Sequence, residues 1–187
     1  LAGQAIVRRA HHPVTLLAAI VAATSILSAM FVNDTMCLVM TPLVLEVTLA
    51  LNRRPLPYLI GVAVASNVGS VATITGNPQN MMIGSYSGLP YSYFFFRLAP
   101  VALAGTLLAI ALIVLLYRAE FRAAGKLEIP SHHVTVDRAL LYKSLIASGA
   151  LFVAFFAGVP VAKGAMIAGA LLLITRSEEH TSELQSL

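Results

Sequence analysis

Charge is scarce in this chain: Asp, Glu, Lys and Arg make up 11% of its 187 residues, against 58% that are hydrophobic. So few charges cannot cover the water-facing surface of a soluble domain of this size, and a lipid-facing chain is the economical reading. Tryptophan is absent altogether. The single cysteine, Cys37, lies inside an apolar segment, which excludes an intrachain disulfide and reads as a small packed side chain rather than a redox group. The net charge of +4 comes from short basic clusters between apolar runs, where a membrane protein keeps its topology signals. The expected surroundings are therefore a lipid bilayer and not nucleic acid. No initiator methionine or charged leader precedes the first apolar run, so no signal peptide is read and segments upstream of Leu1 are expected. At the other end the apolar run 164–175 gives way to Arg-Ser-Glu-Glu-His-Thr-Ser-Glu-Leu-Gln-Ser-Leu. This tail, 176–187, resembles the translation of a sequencing adapter and is expected to lie outside the fold.

Long uncharged stretches are what the chain has in place of charge. A run of about 18 apolar residues crosses a hydrocarbon core of about 30 Å, and 99–117 and 144–162 are two such runs. Two further apolar segments, 13–32 and 36–51, lie between the basic cluster Arg8, Arg9, His11, His12 and the pair Arg53, Arg54, and are separated by Asn33-Asp34-Thr35. One continuous helix over both would be nearly twice the bilayer thickness, so the chain is expected to turn near Asn33 and return. The region 13–52 then forms a helical hairpin, spanning or re-entrant, with both basic clusters on one side. The segment 56–84 is apolar at its ends, but its middle carries Gly69, Gly76, Pro78 and many polar side chains. Glycine weakens a helix and proline lacks the N–H that continues one, so two half-helices with an unwound stretch between them are expected. Such a break is tolerated at membrane depth only where protein or a water-filled cavity covers it.

The stretch 85–97, with Tyr86, Tyr91, Tyr93 and Phe94 to Phe96, reads as an interfacial aromatic cluster. The linker 127–143 after the 99–117 span is placed in the cytoplasm with Arg118, Arg122, Lys126, Arg138 and Lys143 nearby, and 144–175 is the start of a further membrane unit. This assignment puts nine basic residues inside and two, Arg97 and Lys163, outside. The two histidine pairs, His11–His12 and His132–His133, have no carboxylate or cysteine at ligand spacing and read as solvated loop residues rather than metal ligands.

Two interrupted segments that present asparagine, serine, threonine and freed backbone groups near the midplane are the pattern of an ion and substrate site in a secondary transporter. Half-helix N-termini offer amide hydrogens and partial positive charge to an anion. The hydroxyls of Ser28, Thr35, Ser66, Ser70 and Thr73, with unwound carbonyls, are hard oxygen donors suited to Na⁺. Asp34 is costly in lipid, and suits neutralising a cation or carrying a proton; the alternative is that it caps the second hairpin arm. Glu46 reads as an interfacial ion-pair partner for Arg53 or Arg54. No Ser/His/Asp constellation, paired aspartates or zinc motif is present, so no enzyme is expected. A passive channel lined by the same groups is the alternative of a different class.

The residues Val-Asn-Asp-Thr-Met-Cys-Leu-Val-Met-Thr-Pro-Leu-Val-Leu (32–45) and Ala-Ser-Asn-Val-Gly-Ser-Val-Ala-Thr-Ile-Thr-Gly-Asn-Pro-Gln-Asn-Met-Met-Ile-Gly (65–84) together resemble the first repeat of the ion transporter superfamily. This is the citrate transporter-like domain of divalent anion/sodium symporters, arsenite permeases and sodium/proton antiporters. The resemblance implies an all-α polytopic membrane protein of the plasma (inner) membrane and one half of an inverted-repeat transporter. It implies a re-entrant hairpin entering from the cytoplasm, a broken transmembrane helix beside it, and a homodimer with elevator-type movement. The partial first repeat covers 1–126.

In that family a Ser-Asn-Thr tip, its asparagine nine residues before a proline, helps bind sodium and substrate. Asn33 stands nine residues before Pro42, and Ser28 is a matching hydroxyl five residues earlier, while Val32 and Asp34 replace the serine and threonine. The implied function is transport of a small anion, citrate or dicarboxylate-like or an inorganic oxyanion, with Na⁺ or H⁺ as the coupling ion and no other cofactor. Sodium/proton antiport is the alternative within the superfamily. The implied substrate and ion site comprises Ser28, Asn33, Asp34, Thr35, Ser66, Asn67, Gly69, Ser70, Thr73, Gly76, Asn77 and Pro78, with Na⁺ at Ser28, Asn33 and Gly69.

Overall fold

A computed structural model describes residues 12–122 and 138–184, which fall into two compact units divided in the 132–133 region. Arg8, Arg9, His11, Lys126, His132, His133 and most of the expected linker lie outside the described residues. All regular structure among the described residues is helical.

The first unit holds α1 (Pro13–Met30), α2 (Asn33–Ala50), α3 (Pro55–Ser70), α4 (Pro78–Ser87), α5 (Tyr91–Leu116) and the short α6 (Arg118–Arg122). Local signals set the boundaries. The His12 side chain accepts from the Val14 N–H and Pro13 occupies the first turn of α1. Pro55 opens α3, and Asn77 with Pro78 opens α4. A fixed φ and a missing N–H suit proline to these positions. α2 stops where Asn52 takes a left-handed φ of 51° and Arg53 N–H returns to the Thr48 carbonyl at 2.8 Å. That closure satisfies a carbonyl the helix end would otherwise orphan.

The expected turn near Asn33 consists of Phe31 and Val32, both extended, and Asn33 is already the first residue of α2. The two arms pack mainly on α3, which also carries α5 on its flank, rather than on each other. The core along α3 is built from Leu16, Leu17 and Val21 of α1, Met40 and Val44 of α2, Tyr58, Val62 and Ala65 of α3, Ile113 of α5 and Phe121 of α6. α1 and α3 approach closely because Gly69 has no side chain: a Cβ there would overlap the Ser25 backbone. α1, α2 and α5 are long and apolar enough to cross a membrane, with mean hydropathies of 2.0, 1.2 and 2.6. α5 starts earlier than the 99–117 run implies. The aromatic stretch from Tyr91 is its first two turns, with the Arg97 guanidinium 5.3 Å from the Tyr93 ring centre.

The second unit contains α7 (Arg138–Phe156) and α8 (Val161–Leu184), packed against each other. The uncharged run 144–162 is therefore not one span. Gly158 takes φ 90° and Pro160 cannot donate to a continuing helix, so the run breaks at 157–160. Phe155, 3% exposed, seats against α8 where Gly164 leaves room for its ring.

Candidate transport site

The helix break is found at residues 71–77, between α3 and α4. Unwound backbone is normally kept on a protein surface, yet Ala72, Thr73, Ile74, Thr75 and Asn77 are all buried. The stretch is therefore held by specific bonds. Asn80, in the first turn of α4, donates through Nδ2 to the carbonyls of Thr73 (2.8 Å), Ser70 (3.2 Å) and Val71 (3.3 Å). Asn77 Nδ2 donates to Ser70 Oγ at 3.1 Å, while Asn77 Oδ1 accepts from the Asn80 N–H at 2.8 Å and so caps α4. The Thr73 hydroxyl reaches across to the Ala29 carbonyl near the end of α1, and Thr75 Oγ1 lies 2.8 Å from the Tyr91 hydroxyl at the start of α5. Gly76 sits so close to the Ser70 carbonyl that any Cβ would collide with it.

The start of α2 meets this stretch directly. The Asn33 N–H donates to the Gly76 carbonyl at 2.9 Å, and Asn33 Nδ2 donates to Asn67 Oδ1 at 3.2 Å. Asn67 in turn donates to the Ala63 carbonyl at 2.9 Å, which fixes the orientation of its amide. Asn33 Oδ1 is left buried with no hydrogen-bond partner. A buried amide oxygen without a donor costs about 1–3 kcal/mol, and such an orphan in an otherwise satisfied network calls for an explanation.

Below the tip, the Ser28 hydroxyl donates to the Ser66 carbonyl and so ties α1 to α3. Ser66 Oγ donates to the Ala63 carbonyl at 3.1 Å and lies 2.9 Å from Cys37 Sγ, while Ser70 Oγ donates to the Asn67 carbonyl at 2.8 Å. These hydroxyls place their protons on carbonyls, which leaves oxygen lone pairs for a cation or another donor.

The structure thus brings Ser28, Asn33, Ser66, Asn67, Ser70, Thr73, Gly76, Asn77 and Pro78 around the α2 tip and the break. Gly69 stands one turn deeper, at the crossing with Ser25. Asp34 and Thr35 follow Asn33 in the first turn of α2 and are exposed. Asp34 is not the cap of α2: the capping position is Val32, no side chain caps the helix, and Asp34 lies within the first turn. The helix start therefore keeps unclaimed N–H groups beside a carboxylate that makes no ion pair among the described residues. Among those residues no three His, Cys, Asp or Glu side chains come together, so oxygen atoms from amides, hydroxyls and carbonyls are the donor set on offer.

In the sequence Asn80 and Ser25 had no assigned role and Tyr91 stood only in an interfacial aromatic cluster, whereas its hydroxyl meets Thr75 of the break. Asn80 stands three residues after Asn77, one turn along the same helix face, which was a usable signal. Ser25 lies 3.2 Å from Thr106 Oγ1 on α5, a pairing far apart in sequence that no local pattern discloses.

A match to the citrate transporter family covers residues 1–186. The chain belongs to that family. Its members and relatives are transporters and membrane proteins rather than enzymes. The chain is 31% identical over 182 residues to a 46 kDa membrane protein of Mycobacterium leprae (strain TN), covering 91% of this chain and 42% of the relative. It is 37% identical over 97 residues to a silicon efflux transporter of Oryza sativa subsp. japonica, covering 52% of this chain and 20% of that one. With the inner membrane protein YbiR of Escherichia coli (strain K12) it shares 33% identity over 100 residues, or 54% and 27% of the two chains. The chain thus spans less than half the length of these relatives. With three helices among the described residues long and apolar enough to cross a bilayer, it is a multi-pass membrane protein of the citrate transporter family.

Proposed function

We propose that the intact protein is a secondary active transporter that moves a small anion, citrate-like or an inorganic oxyanion, coupled to Na⁺ or H⁺. The observation that carries the reading is the buried, unpartnered Asn33 Oδ1 at the junction of the α2 tip with the unwound stretch 71–77. A cation at that oxygen would supply the missing partner, with Ser28 and other hydroxyl oxygens as further hard donors and Asp34 as the compensating charge. The first turn of α2 offers its free N–H groups and positive dipole end to the anion. Bound together, each ion lowers the cost of holding the other at membrane depth, and this is the physical basis of coupling.

The family's name points to a carboxylate cargo, and the rice relative's name extends the range to silicon. The re-entrant geometry of the α1–α2 hairpin, its entry from the cytoplasm and a homodimeric assembly belong to the same proposal. The test is uptake of labelled citrate, succinate and sulfate by the full-length protein in proteoliposomes, with and without imposed Na⁺ and pH gradients. Accumulation above the external concentration under one gradient supports the proposal. Exchange of Na⁺ against H⁺ without anion movement would make the protein an antiporter, and mere equilibration would make it a pore.

A further inference from the structure

α5 stops at Leu116, and the chain passes through Tyr117 into the short α6. α6 divides its side chains between two surroundings. Phe121 is buried against Tyr58, and Glu120, the one carboxylate of this helix, faces Arg53. Arg118 and Arg122 are four residues apart and so share a helix face; both are exposed, and neither makes an ion pair among the described residues. Together with Val14 at the start of α1, Val114 and Leu115 at the end of α5, and Phe121, they line an open groove of about 300 Å³. Leu115 also heads an exposed apolar stripe of α5, continued by Leu112 and Leu108 at three- and four-residue spacing.

α5 is long and apolar enough to cross a bilayer, and the arginines follow directly after its end, so the groove lies where hydrocarbon gives way to headgroups. A water-borne anion would neutralise the guanidinium groups but leave the apolar wall of the groove wet. A zwitterionic lipid would cover that wall but bring a cation of its own toward the arginines. An anionic phospholipid suits both parts: its phosphate accepts paired, charge-assisted hydrogen bonds from guanidinium forks, and its acyl chain covers the apolar wall. Basic pockets between helices at a membrane surface are suited to such headgroups. We propose that the groove between α1, α5 and α6 binds one anionic phospholipid, with its phosphate at Arg118 and Arg122 and an acyl chain laid over Leu115, Leu112 and Leu108. Glu120 does not oppose the phosphate, because its charge is met by Arg53. A lipid held there joins α6 to α1 and α5 and stabilises that end of the unit. The inference stands whether or not the transported solute is an anion.

The experiment uses the full-length protein purified in detergent, titrated separately with phosphatidylglycerol, phosphatidylcholine and inorganic phosphate. Native mass spectrometry reads the bound species, and the thermal unfolding midpoint reads the stabilisation that binding brings. Wild type is expected to retain phosphatidylglycerol and to gain stability from it at concentrations where phosphatidylcholine and phosphate have little effect. Arg118→Gln and Arg122→Gln are each expected to weaken phosphatidylglycerol binding at least about tenfold, the effect of losing one charge-assisted contact. Arg54→Gln, which removes an exposed arginine outside the groove, is the charge-matched control and is expected to leave binding nearly unchanged. Equal binding of phosphatidylcholine would mean that the arginines select nothing, and equal stabilisation by inorganic phosphate would mean a bare anion site. Equal weakening by Arg54→Gln would mean diffuse attraction to a basic surface. Each of these results, or a failure to retain phosphatidylglycerol at all, overturns the proposal. The comparison of lipids on wild type requires no variant and decides the matter even where an arginine substitution disturbs folding.

Discussion

Asn80 carries more of the unwound stretch than any other side chain near the site, because one amide group serves three carbonyls that helix geometry has released. Asn80→Ala strands those acceptors in a buried region, at a cost of about 1–3 kcal/mol. A fall in the thermal unfolding midpoint of the detergent-solubilised full-length protein checks this. Asn80→Asp should be at least as damaging, since it replaces a donor with a charge facing carbonyl oxygens. Gly69 supports a second prediction of this kind. Gly69→Ala drives a methyl group into the Ser25 backbone and must separate α1 from α3, an overpacking cost of about 1–3 kcal/mol. Gly149→Ala has nothing within 4 Å to meet, so on α7 it should leave stability unchanged or raise it by up to about 1 kcal/mol through helix propensity. The same unfolding measurement on the two variants separates close packing from a general intolerance of change at glycine.

The elements of the first unit are joined at the end opposite the α2 tip by Arg53, between α2 and α3, and Glu120 of α6, whose side chains are each 10% exposed and 3.8 Å apart. Phe121 meets Tyr58 of α3 edge-on at 5.8 Å in the same cluster. Glu120→Gln removes the carboxylate that faces Arg53 and should destabilise by up to about 3 kcal/mol. Arg53→Leu combined with Glu120→Leu should recover most of that loss, which a double-mutant cycle of unfolding midpoints would show. The helix break was legible in the sequence because Pro78 and Gly76 act locally, and the turn at 31–32 was legible to within two residues because one helix could not hold both apolar arms. The central place of α3 was not legible. Membrane helices are apolar on most faces, so periodicity does not say which face is buried, and contacts such as Ser25 with Thr106 join residues far apart in the chain. Glu120 went unnoticed for the same reason, since a carboxylate at a helix end looks solvated until Arg53 is seen beside it. The break at 157–160 was overlooked because a count of uncharged residues gives no weight to Gly158 and Pro160.

At the scale of the whole molecule, the proposed function depends on the α2 tip and the 71–77 stretch belonging to one solute site. The candidate residues on the break were readable as a group because they share one polar motif. The roles within the group were not, because the sequence gives no sign that Asn67 claims one end of the Asn33 amide and leaves the other free. That free oxygen sets the decisive measurement: initial uptake by the full-length protein in proteoliposomes under its driving gradient, comparing wild type with Asn33→Ala and Asp34→Asn at matched protein incorporation. The account predicts that Asn33→Ala reduces gradient-driven uptake at least about tenfold, the effect of losing about 1.4 kcal/mol of cation binding. It predicts that Asp34→Asn alters the dependence on Na⁺ or pH. Uptake by Asn33→Ala equal to wild type, with unchanged ion dependence, would contradict the assignment of the site to the α2 tip.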